Sequence, residues 1–495
     1  MRTYLVTYLL SLLAAVGLTP LVIAWARRRR LVDRPGVRKI HKGPVARLGG
    51  IALFAAAMAA IVSVLVVQSA ARDRFQAQGV QVTALLVGAA AVFALGVYDD
   101  LRHARIRTKL VVEIAVAVAV CSTGITIGRI QITDLVTLDL GWFGYLVTVV
   151  WIVGITNAMN LIDGLDGLAA GLAAIACAVM ATLAVVQGNV VLAIILLALL
   201  GSLSGFLLFN FYPARVFMGD GGSLFLGFTI ATASVMTAGK SEALVGLGLP
   251  ILALGIPIFD TLLSILRRYL DRRGILSPDR GHFHHRLLAL GFGQRQVAVI
   301  AYGATLAVSG LGLLMLAARS TLSVLILLAC LTLLLVLFRL IGEVRVRDTL
   351  DRIRQRADLA RRDRRERRLF DEADLSFQEA KDFDQWWGCM CKAAAALDCA
   401  QVCLKLAARE NQTQTLTWQR PNHNGPQPAQ TDLVHFGVPI EDGRDKQVYR
   451  IEIDVLTHGS LQSAGHRVAL FARLAEEHRL DTLPHNGDGE KPEVR

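Results

Sequence analysis

Charged residues are scarce in this chain of 495 residues. They make up 19% of it, against 54% hydrophobic residues, and the mean hydropathy is +0.49. Such a composition is too apolar on average for a soluble protein of this size. The charges also concentrate in a few short loops and in everything after about Glu343. The sequence therefore predicts an apolar membrane body and a polar tail of roughly 150 residues, about one small domain.

The seven cysteines have no pattern typical of a disulfide framework or a zinc site. Three lie in apolar runs, and four lie in the tail without zinc-ligand spacing or nearby histidines. We interpret all seven as reduced thiols. A cleavable signal peptide is not evident either, because residues 1–25 form one apolar run with its arginines after it, which favours a retained first helix.

Long apolar runs dominate the first two thirds of the chain. A helix needs about 20 residues to cross a hydrocarbon core of about 30 Å, and eleven runs are long enough or nearly so. They lie at roughly 4–26, 49–71, 80–97, 110–127, 142–159, 168–186, 189–209, 222–239, 243–266, 297–318 and 321–341. The ninth contains Pro250 and Pro257, which each remove a helix hydrogen bond, so we expect that helix to be broken and to line a cavity. The predicted body is an all-α polytopic membrane protein of about eleven helices.

Basic residues in the loops predict the orientation of these spans. The loops after the odd-numbered runs hold 21 Lys or Arg residues, whereas the N-terminal end and the other loops hold six. By the positive-inside rule, the N-terminus lies outside and the tail lies in the cytoplasm. Between the fourth and fifth runs, apolar and polar residues alternate over 129–140, which predicts a short hairpin on the outer face.

The polar tail divides into a basic segment and a small domain. The arginine-rich segment 344–370 predicts a solvated helix, or one that touches anionic lipid headgroups. After it come a helix at 371–397, strands at 400–406, 414–418, 433–438 and 448–456, and a helix at 461–480, which predict an α+β fold. The expected domains are a transmembrane domain at 1–342, an Arg-rich linker at 343–370 and a cytosolic α+β domain at 371–495, whose element order is similar to GAF modules.

Polar clusters interrupt the apolar body in the loops assigned to the cytoplasm. The stretch 157–171 inserts two amides, including Asn160, and two carboxylates, Asp163 and Asp166, between two spans. A carboxylate at membrane depth costs about 3 kcal/mol unless it is paired, wetted or bound to a cation. Asp163 and Asp166 are therefore functional candidates, with an ordinary Asp-Gly turn as the alternative.

Two further loops carry carboxylates. Adjacent Asp99 and Asp100 repel each other, which indicates a bound cation, a basic partner or a raised pKa that lets one act as a base; ion pairs with the neighbouring arginines are the alternative. The turn 217–223 is rich in glycine and enters a span, so its backbone N–H groups are expected to be free for an anion, and Asp220 suits a hard cation such as Mg²⁺. A plain turn between spans is the alternative there. Asp260, in the ninth run, either supports this site or caps its helix.

Two basic loops complete the set. The loop 27–47 contains His41 and Arg47. We interpret it as a basic surface that binds phosphates, with positive charge that only sets the orientation of the spans as the alternative. The loop 267–296 contains a block of His282, His284, His285 and Arg286. Because no cysteine accompanies this block and arginines surround it, it favours a grip on a diphosphate over a Zn²⁺ site, with a basic solvated loop as the alternative.

The ordered motifs resemble those of the polyprenyl-phosphate N-acetylhexosamine-1-phosphate transferases, in the branch that uses UDP-N-acetylglucosamine. They are 97–100, 157–167, 216–223 and 282–285, and they lie in four different loops within residues 1–340. The resemblance implies a multi-pass enzyme of the bacterial plasma membrane. It would transfer N-acetylhexosamine 1-phosphate, with N-acetylglucosamine favoured, from a UDP-sugar to undecaprenyl phosphate and release UMP. This step starts cell-envelope glycans such as the O-antigen; a homodimer is left open.

The resemblance also implies a role for each motif residue. Asp220 and Asn160 would hold Mg²⁺, with Mn²⁺ as an alternative. Asp99 and Asp100 would deprotonate or orient the lipid phosphate, and Asp163 and Asp166 would act as catalytic residues near the metal and the nucleotide-sugar. The implied substrate-binding residues are Lys109, Arg47, His41, Gly221, Ser223, His282, His284, His285 and Arg286. Direct attack and a two-step route through an aspartyl intermediate both fit these residues.

Three other functions are weighed against this one. A transferase of phospho-N-acetylmuramoyl-pentapeptide is the alternative within the family. A multi-span transporter would also need a broken helix, but it should place charges near the middle of its spans rather than in loops on one face. A sensor module on a membrane anchor would place the function in the tail. Deletion of the residues after about 345 distinguishes this function from a transferase, because the transferase activity should persist after that deletion.

Overall fold

A computed structural model of the chain describes residues 2–33, 44–67, 70–131, 136–238, 243–270, 281–318, 320–341, 361, 368, 370–407, 413–421, 433–441, 448–457 and 461–478. The chain divides into two compact units, Met1–Thr349 and Leu350–Arg495.

The first unit consists of α-helices and two short antiparallel ladders. Its helices are α1 (Arg2–Arg28), α2 (Gly50–Val66), α3 (Ala70–Ala77), α4 (Gly79–Arg102), α5 (Ile106–Cys121), α6 (Phe143–Ile162), α7 (Leu168–Val186), α8 (Val190–Asn210), α9 (Gly219–Ala238), α10 (Ala243–Ala253), α11 (Gly255–Leu270), α12 (Phe283–Ala289), α13 (Gln294–Leu313) and α14 (Ser320–Leu340). Strand β1 (Val32–Asp33) pairs with β2 (Val45–Ala46), and β3 (Arg129–Gln131) pairs with β4 (Thr137–Asp139). The second ladder confirms the predicted hairpin.

Eight of the described helices are long and apolar enough to cross a membrane, and two bent pairs raise the number to as many as ten. The chain is therefore a multi-pass membrane protein. The count of eleven is not confirmed: the run expected at 110–127 corresponds to α5, which has 16 residues. At 1.5 Å per residue it is about 24 Å long, shorter than a typical hydrocarbon core. The orientation of the spans stays a prediction.

The ninth predicted run forms one of the bent pairs. Helices α10 and α11 meet at 74°, and the break lies at Leu254, between the two prolines. Pro257 has no N–H to donate to the carbonyl of Ala253, so the helical ladder is interrupted there. The predicted broken helix is confirmed.

Helix α9 lies at the centre of the first unit. Every residue from Gly221 to Ala238 is buried, and α9 packs against α2, α4, α6, α7 and α10. The approach of α4 is close because Gly96 has no side chain: a Cβ there would lie 2.4 Å from the carbonyl oxygen of Asp220. This contact brings the end of α4 onto the start of α9.

The second unit contains α15 (Phe383–Ala396), four strands, α16 (Leu461–Glu477) and helical residues at 370–378. The strands β5 (Cys399–Ala407), β6 (Thr413–Gln419), β7 (Leu433–Glu441) and β8 (Val448–Leu456) form an antiparallel sheet in the order β6-β5-β8-β7. Its core includes Trp386, Met390, Ile453 and Phe471. The predicted order of helix, four strands and helix is found, with a break in the first helix near residue 380. Most of the basic segment 344–370 lies outside the described residues.

Candidate active site

Lys109 joins two carboxylates that come from different helices. Its Nζ lies 2.7 Å from Asp99 Oδ2 and 2.6 Å from Asp220 Oδ2. The chain turns sharply between α4 and α5, where His103 has a left-handed backbone and the N–H of Ala104 donates to Asp99 Oδ1 at 2.6 Å. The cation expected beside Asp99 is therefore the lysine of the next helix, rather than an arginine of the same loop.

The side chain of Asp100 caps the N-terminus of α9. Its two carboxylate oxygens accept the backbone N–H groups of Asp220 and Gly221, each at 3.0 Å. A carboxylate is favourable at this end of a helix. The expectation that the glycine-rich turn leaves its N–H groups free is wrong for these two, because α4 supplies Asp100 as the anion. Ser223 is buried, and its Oγ lies 3.4 Å from the carbonyl oxygen of Asp220. Substrate binding by Gly221 and Ser223 stays a prediction.

The turn between α6 and α7 is held from two sides. The N–H of Ala214 donates to Asp166 Oδ2 at 3.0 Å, which ties the turn to the segment after α8. The hydroxyl of Tyr302 on α13 donates to the carbonyl oxygen of Gly167 at 2.5 Å. Gly167 has a φ of +75°, a left-handed conformation that suits glycine. The Asp-Gly turn is thus a fixed part of the structure.

Asp163 lies in this turn, close to other negative charges. Burial raises the pKa of its carboxyl group well above the usual value, and the charges of Asp220, Asp100 and Asp166 raise it further. A group in such surroundings holds a proton unless a cation is bound beside it. This is the electrostatic signature expected of a cation site or of a site for proton transfer.

These segments enclose a cavity of about 840 Å³ that carries charges of both signs. Its acidic lining residues are Asp33, Asp99, Asp100, Asp163, Asp166 and Asp220, and its basic ones are Arg27, Arg47, His103, Arg215 and His285. The loop before α2 is joined to the loop before α9, because Ala46 and Val216 pair in a parallel bridge and the N–H of Gly49 donates to the carbonyl of Phe217 at 2.9 Å. An anionic ligand together with a cation fits this lining.

The residues of the histidine block have different surroundings in the structure. His285 lines the cavity, whereas His282 and His284 are only 5% and 2% exposed. Asp260 supports the block: its Oδ2 lies 3.0 Å from His282 Nδ1, and its Oδ1 accepts the N–H of Phe283 at 2.7 Å. Arg286 Nε donates to the carbonyl oxygen of Gly281 at 3.2 Å. Asp260 therefore serves as a support and as the N-terminal cap of α12.

His284 gives a prediction about pH. Burial, together with the neighbouring His285, lowers its pKa from 6.5 to about 4. Folding thus favours the neutral ring, so its contribution to stability is complete above pH 6.5 and is lost as the pH falls toward 4. We expect the melting temperature in detergent to fall more over this range for the wild type than for His284→Gln. Replacement of the exposed His466 by glutamine is the matched control, and equal falls for wild type and His284→Gln would contradict the prediction.

Some residues that line the cavity have no role predicted from the sequence. Conversely, one residue with a predicted role, His41, is not among the described residues. Arg27, His103 and Arg215 line the cavity. His103 and Arg215 lie next to the motifs 97–100 and 216–223, and Arg27 begins the basic loop 27–47, which is the signal that could have found them. Glu113 on α5 was also missed, although it is the one carboxylate in its apolar run.

The donor set fits a Mg²⁺ ion that shares its coordination with a ligand. Within the described ranges, no group of three or more Asp, Glu, His or Cys side chains is arranged to hold a metal ion. Mg²⁺ is usually held by one or two carboxylates, with water and substrate phosphates completing its shell, so a protein cage is not required. Asp220 lines the cavity and supplies a carboxylate for such an ion. Asn160 is not among the lining residues, and its buried Nδ2, which has no hydrogen-bond partner among the described residues, is a donor and not a metal ligand, so the metal role of Asn160 stays a prediction.

The chain is similar in sequence to a known family and to named relatives. Residues 82–238 match glycosyl transferase family 4. The chain is 37% identical to a probable undecaprenyl-phosphate N-acetylglucosaminyl 1-phosphate transferase of Bacillus subtilis, over 60% of this chain and 80% of the relative. It is 32% identical to a decaprenyl-phosphate N-acetylglucosaminephosphotransferase of Mycobacterium leprae, over 59% and 80%. It is also 32% identical to a phospho-N-acetylmuramoyl-pentapeptide-transferase of Desulforudis audaxviator, over 61% and 95%.

The chain therefore belongs to glycosyl transferase family 4, and the resemblance to polyprenyl-phosphate N-acetylhexosamine-1-phosphate transferases is confirmed. It is a membrane transferase.

Proposed function

We propose that this protein transfers N-acetylglucosamine 1-phosphate from UDP-N-acetylglucosamine to a polyprenyl phosphate, with release of UMP, as the first step of a bacterial cell-envelope glycan. The observation that carries the proposal is the cavity lined by Asp99 and Asp220, which Lys109 joins, and by the basic residues Arg47, Arg215 and His285. The names of the relatives from Bacillus and Mycobacterium support the choice of sugar and of lipid.

Catalysis of this phosphoryl transfer mainly requires that the two substrates are positioned and that the negative charge of the phosphates is stabilised. An oxygen of the lipid phosphate attacks the sugar-linked phosphorus of the diphosphate, and the bond to the bridging oxygen breaks so that UMP leaves. Arg47, Arg215 and His285 would hold the diphosphate, and Lys109 would keep Asp99 and Asp220 in place. Mg²⁺ held by Asp220 and Asn160 would neutralise part of the negative charge. In the proposed orientation the cavity and the second unit face the cytoplasm, where nucleotide-sugars are made.

A second donor is supported by one specific observation. The phospho-N-acetylmuramoyl-pentapeptide-transferase of Desulforudis is matched over 95% of its length. A UDP-N-acetylmuramoyl-pentapeptide donor would use the same diphosphate contacts and a larger space beside the sugar. The two candidates therefore differ only in the donor, and one panel of donors separates them.

The test is Mg²⁺-dependent release of UMP by the purified full-length protein in detergent. The assay supplies undecaprenyl phosphate with UDP-N-acetylglucosamine, UDP-N-acetylgalactosamine or UDP-N-acetylmuramoyl-pentapeptide, and the Bacillus relative serves as the positive control. We expect release with UDP-N-acetylglucosamine, and none when the lipid phosphate or Mg²⁺ is omitted. Release with the pentapeptide donor alone would select the second candidate. No release with any donor, in an assay where the relative works, would refute both.

A further inference from the structure

Glu113 is a buried carboxylate that the proposed reaction does not use. It lies in the middle of α5 and is 2% exposed, and its Oε1 is buried without a hydrogen-bond partner among the described residues. An ionisable group in such surroundings costs free energy unless it serves a purpose. Glu113 therefore requires an explanation beyond packing.

The partner of Glu113 is Asn157 on α6. Asn157 Nδ2 donates to Glu113 Oε2 and also to the carbonyl oxygen of Val153, the latter at 2.9 Å. In the structure the nitrogen end of the amide faces Glu113, whose carboxylate oxygen accepts this hydrogen bond. Because both amide hydrogens are used, the amide has one orientation, and its Oδ1 points away from Glu113.

On each helix this pair lies one turn from a residue that the proposed function assigns to the site, Lys109 on α5 and Asn160 on α6. Glu113 follows Lys109 by four residues on α5, and Asn157 precedes Asn160 by three residues on α6, so each pair shares a helix face. Lys109 contacts Asp99 and Asp220, and α6 ends in the turn that carries Asp163. The pair thus connects two helices that both supply residues to the site.

We propose that Glu113 is a positioning residue of the transfer site: it holds the amide of Asn157 in the orientation in which Oδ1 accepts a hydrogen bond from the substrate. The inference rests on the proposed function. Asn157 touches the substrate and Glu113 acts through it. A misplaced contact of this kind lowers a rate by as much as about 10²-fold.

The test compares Glu113→Gln, Glu113→Leu, Asn157→Ala and the double variant Glu113→Leu/Asn157→Ala in the UMP assay. Glutamine keeps an acceptor oxygen for Asn157, so we expect its kcat to stay within about fivefold of the wild type. Leucine removes the acceptor, and we expect kcat to fall by about 10- to 100-fold. If Glu113 acts through Asn157, the double variant is no slower than Asn157→Ala alone.

A matched control separates positioning from helix packing. Ser234→Ala removes the hydrogen bond that Trp151 Nε1 on α6 donates to Ser234 Oγ on α9 at 2.8 Å, and it does not touch the pair. We expect it to change the melting temperature but leave kcat within twofold. An equal loss of kcat in Ser234→Ala and Glu113→Leu would overturn the proposal, as would a double variant whose losses multiply.

The remaining outcomes are also decisive. If Glu113→Leu is not recovered folded, Glu113→Gln and Asn157→Ala decide: a glutamine variant as slow as Asn157→Ala contradicts the proposal, and one close to the wild type supports it. A working wild type whose leucine variant keeps its kcat overturns this inference alone. A wild type that releases no UMP overturns the proposed function, and this inference with it.

Discussion

Replacement of Asp220 by asparagine is expected to lower the rate of UMP release by at least about 10³-fold while the protein stays folded in detergent. The fold should survive because the structural role of this residue lies in its backbone: its N–H donates to Asp100, and its carbonyl oxygen contacts α4 at Gly96. The amide oxygen of asparagine can still accept from Lys109. The change therefore removes one negative charge from the cavity and little else.

The measurement is kcat/KM for UDP-N-acetylglucosamine over a range of Mg²⁺ concentrations, with a thermal melt of each variant. Asp139→Asn is the matched control, because its side chain is 67% exposed and pairs with Arg129 in the hairpin of β3 and β4. We expect the control to behave as the wild type. An Asp220→Asn variant that keeps a tenth or more of the wild-type rate would remove the proposed metal role of Asp220.

Replacement of Lys109 by methionine is expected to lower kcat/KM by about 10²- to 10³-fold. Two carboxylates, Asp99 and Asp220, lie within 2.7 Å of the same Nζ, so the loss of this ammonium leaves two negative charges facing each other. We also expect the free energy of unfolding to fall by about 1–3 kcal/mol. Arginine should restore only part of the activity, since a planar guanidinium does not fill the place of a compact ammonium between two carboxylates.

A double variant separates the two roles of Lys109. In Lys109→Met/Asp99→Asn the repulsion is relieved, so the melting temperature should recover while the activity stays low. Recovery of both would mean that Lys109 acts only as a structural partner of the carboxylates. Lys405→Met, which removes a lysine paired with Glu452 in the second unit, is the control for loss of an ion pair elsewhere.

Much of the architecture follows from local sequence patterns. The length and apolarity of the runs predicted a multi-pass body, and the two prolines predicted the break that the structure places at Leu254, because a missing N–H acts on the helix that contains it. Short strand-like runs in the tail predicted the four strands. The count of spans was harder, since α5 is apolar at one end and supplies Lys109 at the other, so hydropathy does not mark where it begins.

The candidate site was predictable as a set of residues but not as a set of contacts. Asp99 and Asp100 are neighbours with the same chemistry, yet Asp99 pairs with Lys109 and Asp100 caps α9. Successive residues on a helix point in directions about 100° apart, so each side chain meets a different partner. The histidine block was divided for the same reason: His285 faces the cavity, while His282 and His284 turn into the protein.

The sequence by itself determined that this is a multi-pass membrane protein with a small α+β unit after it, and its ordered motifs determined the family. These properties depend on hydropathy, spacing and residue type, which are present in the chain before it folds. Only the tertiary structure decided that Lys109 bridges Asp99 and Asp220, that Asp100 occupies the start of α9, and that Glu113 holds Asn157. Each of these contacts joins residues of different helices, and the packing of α4 on α5 and α9, together with that of α5 on α6, brings them within hydrogen-bond reach.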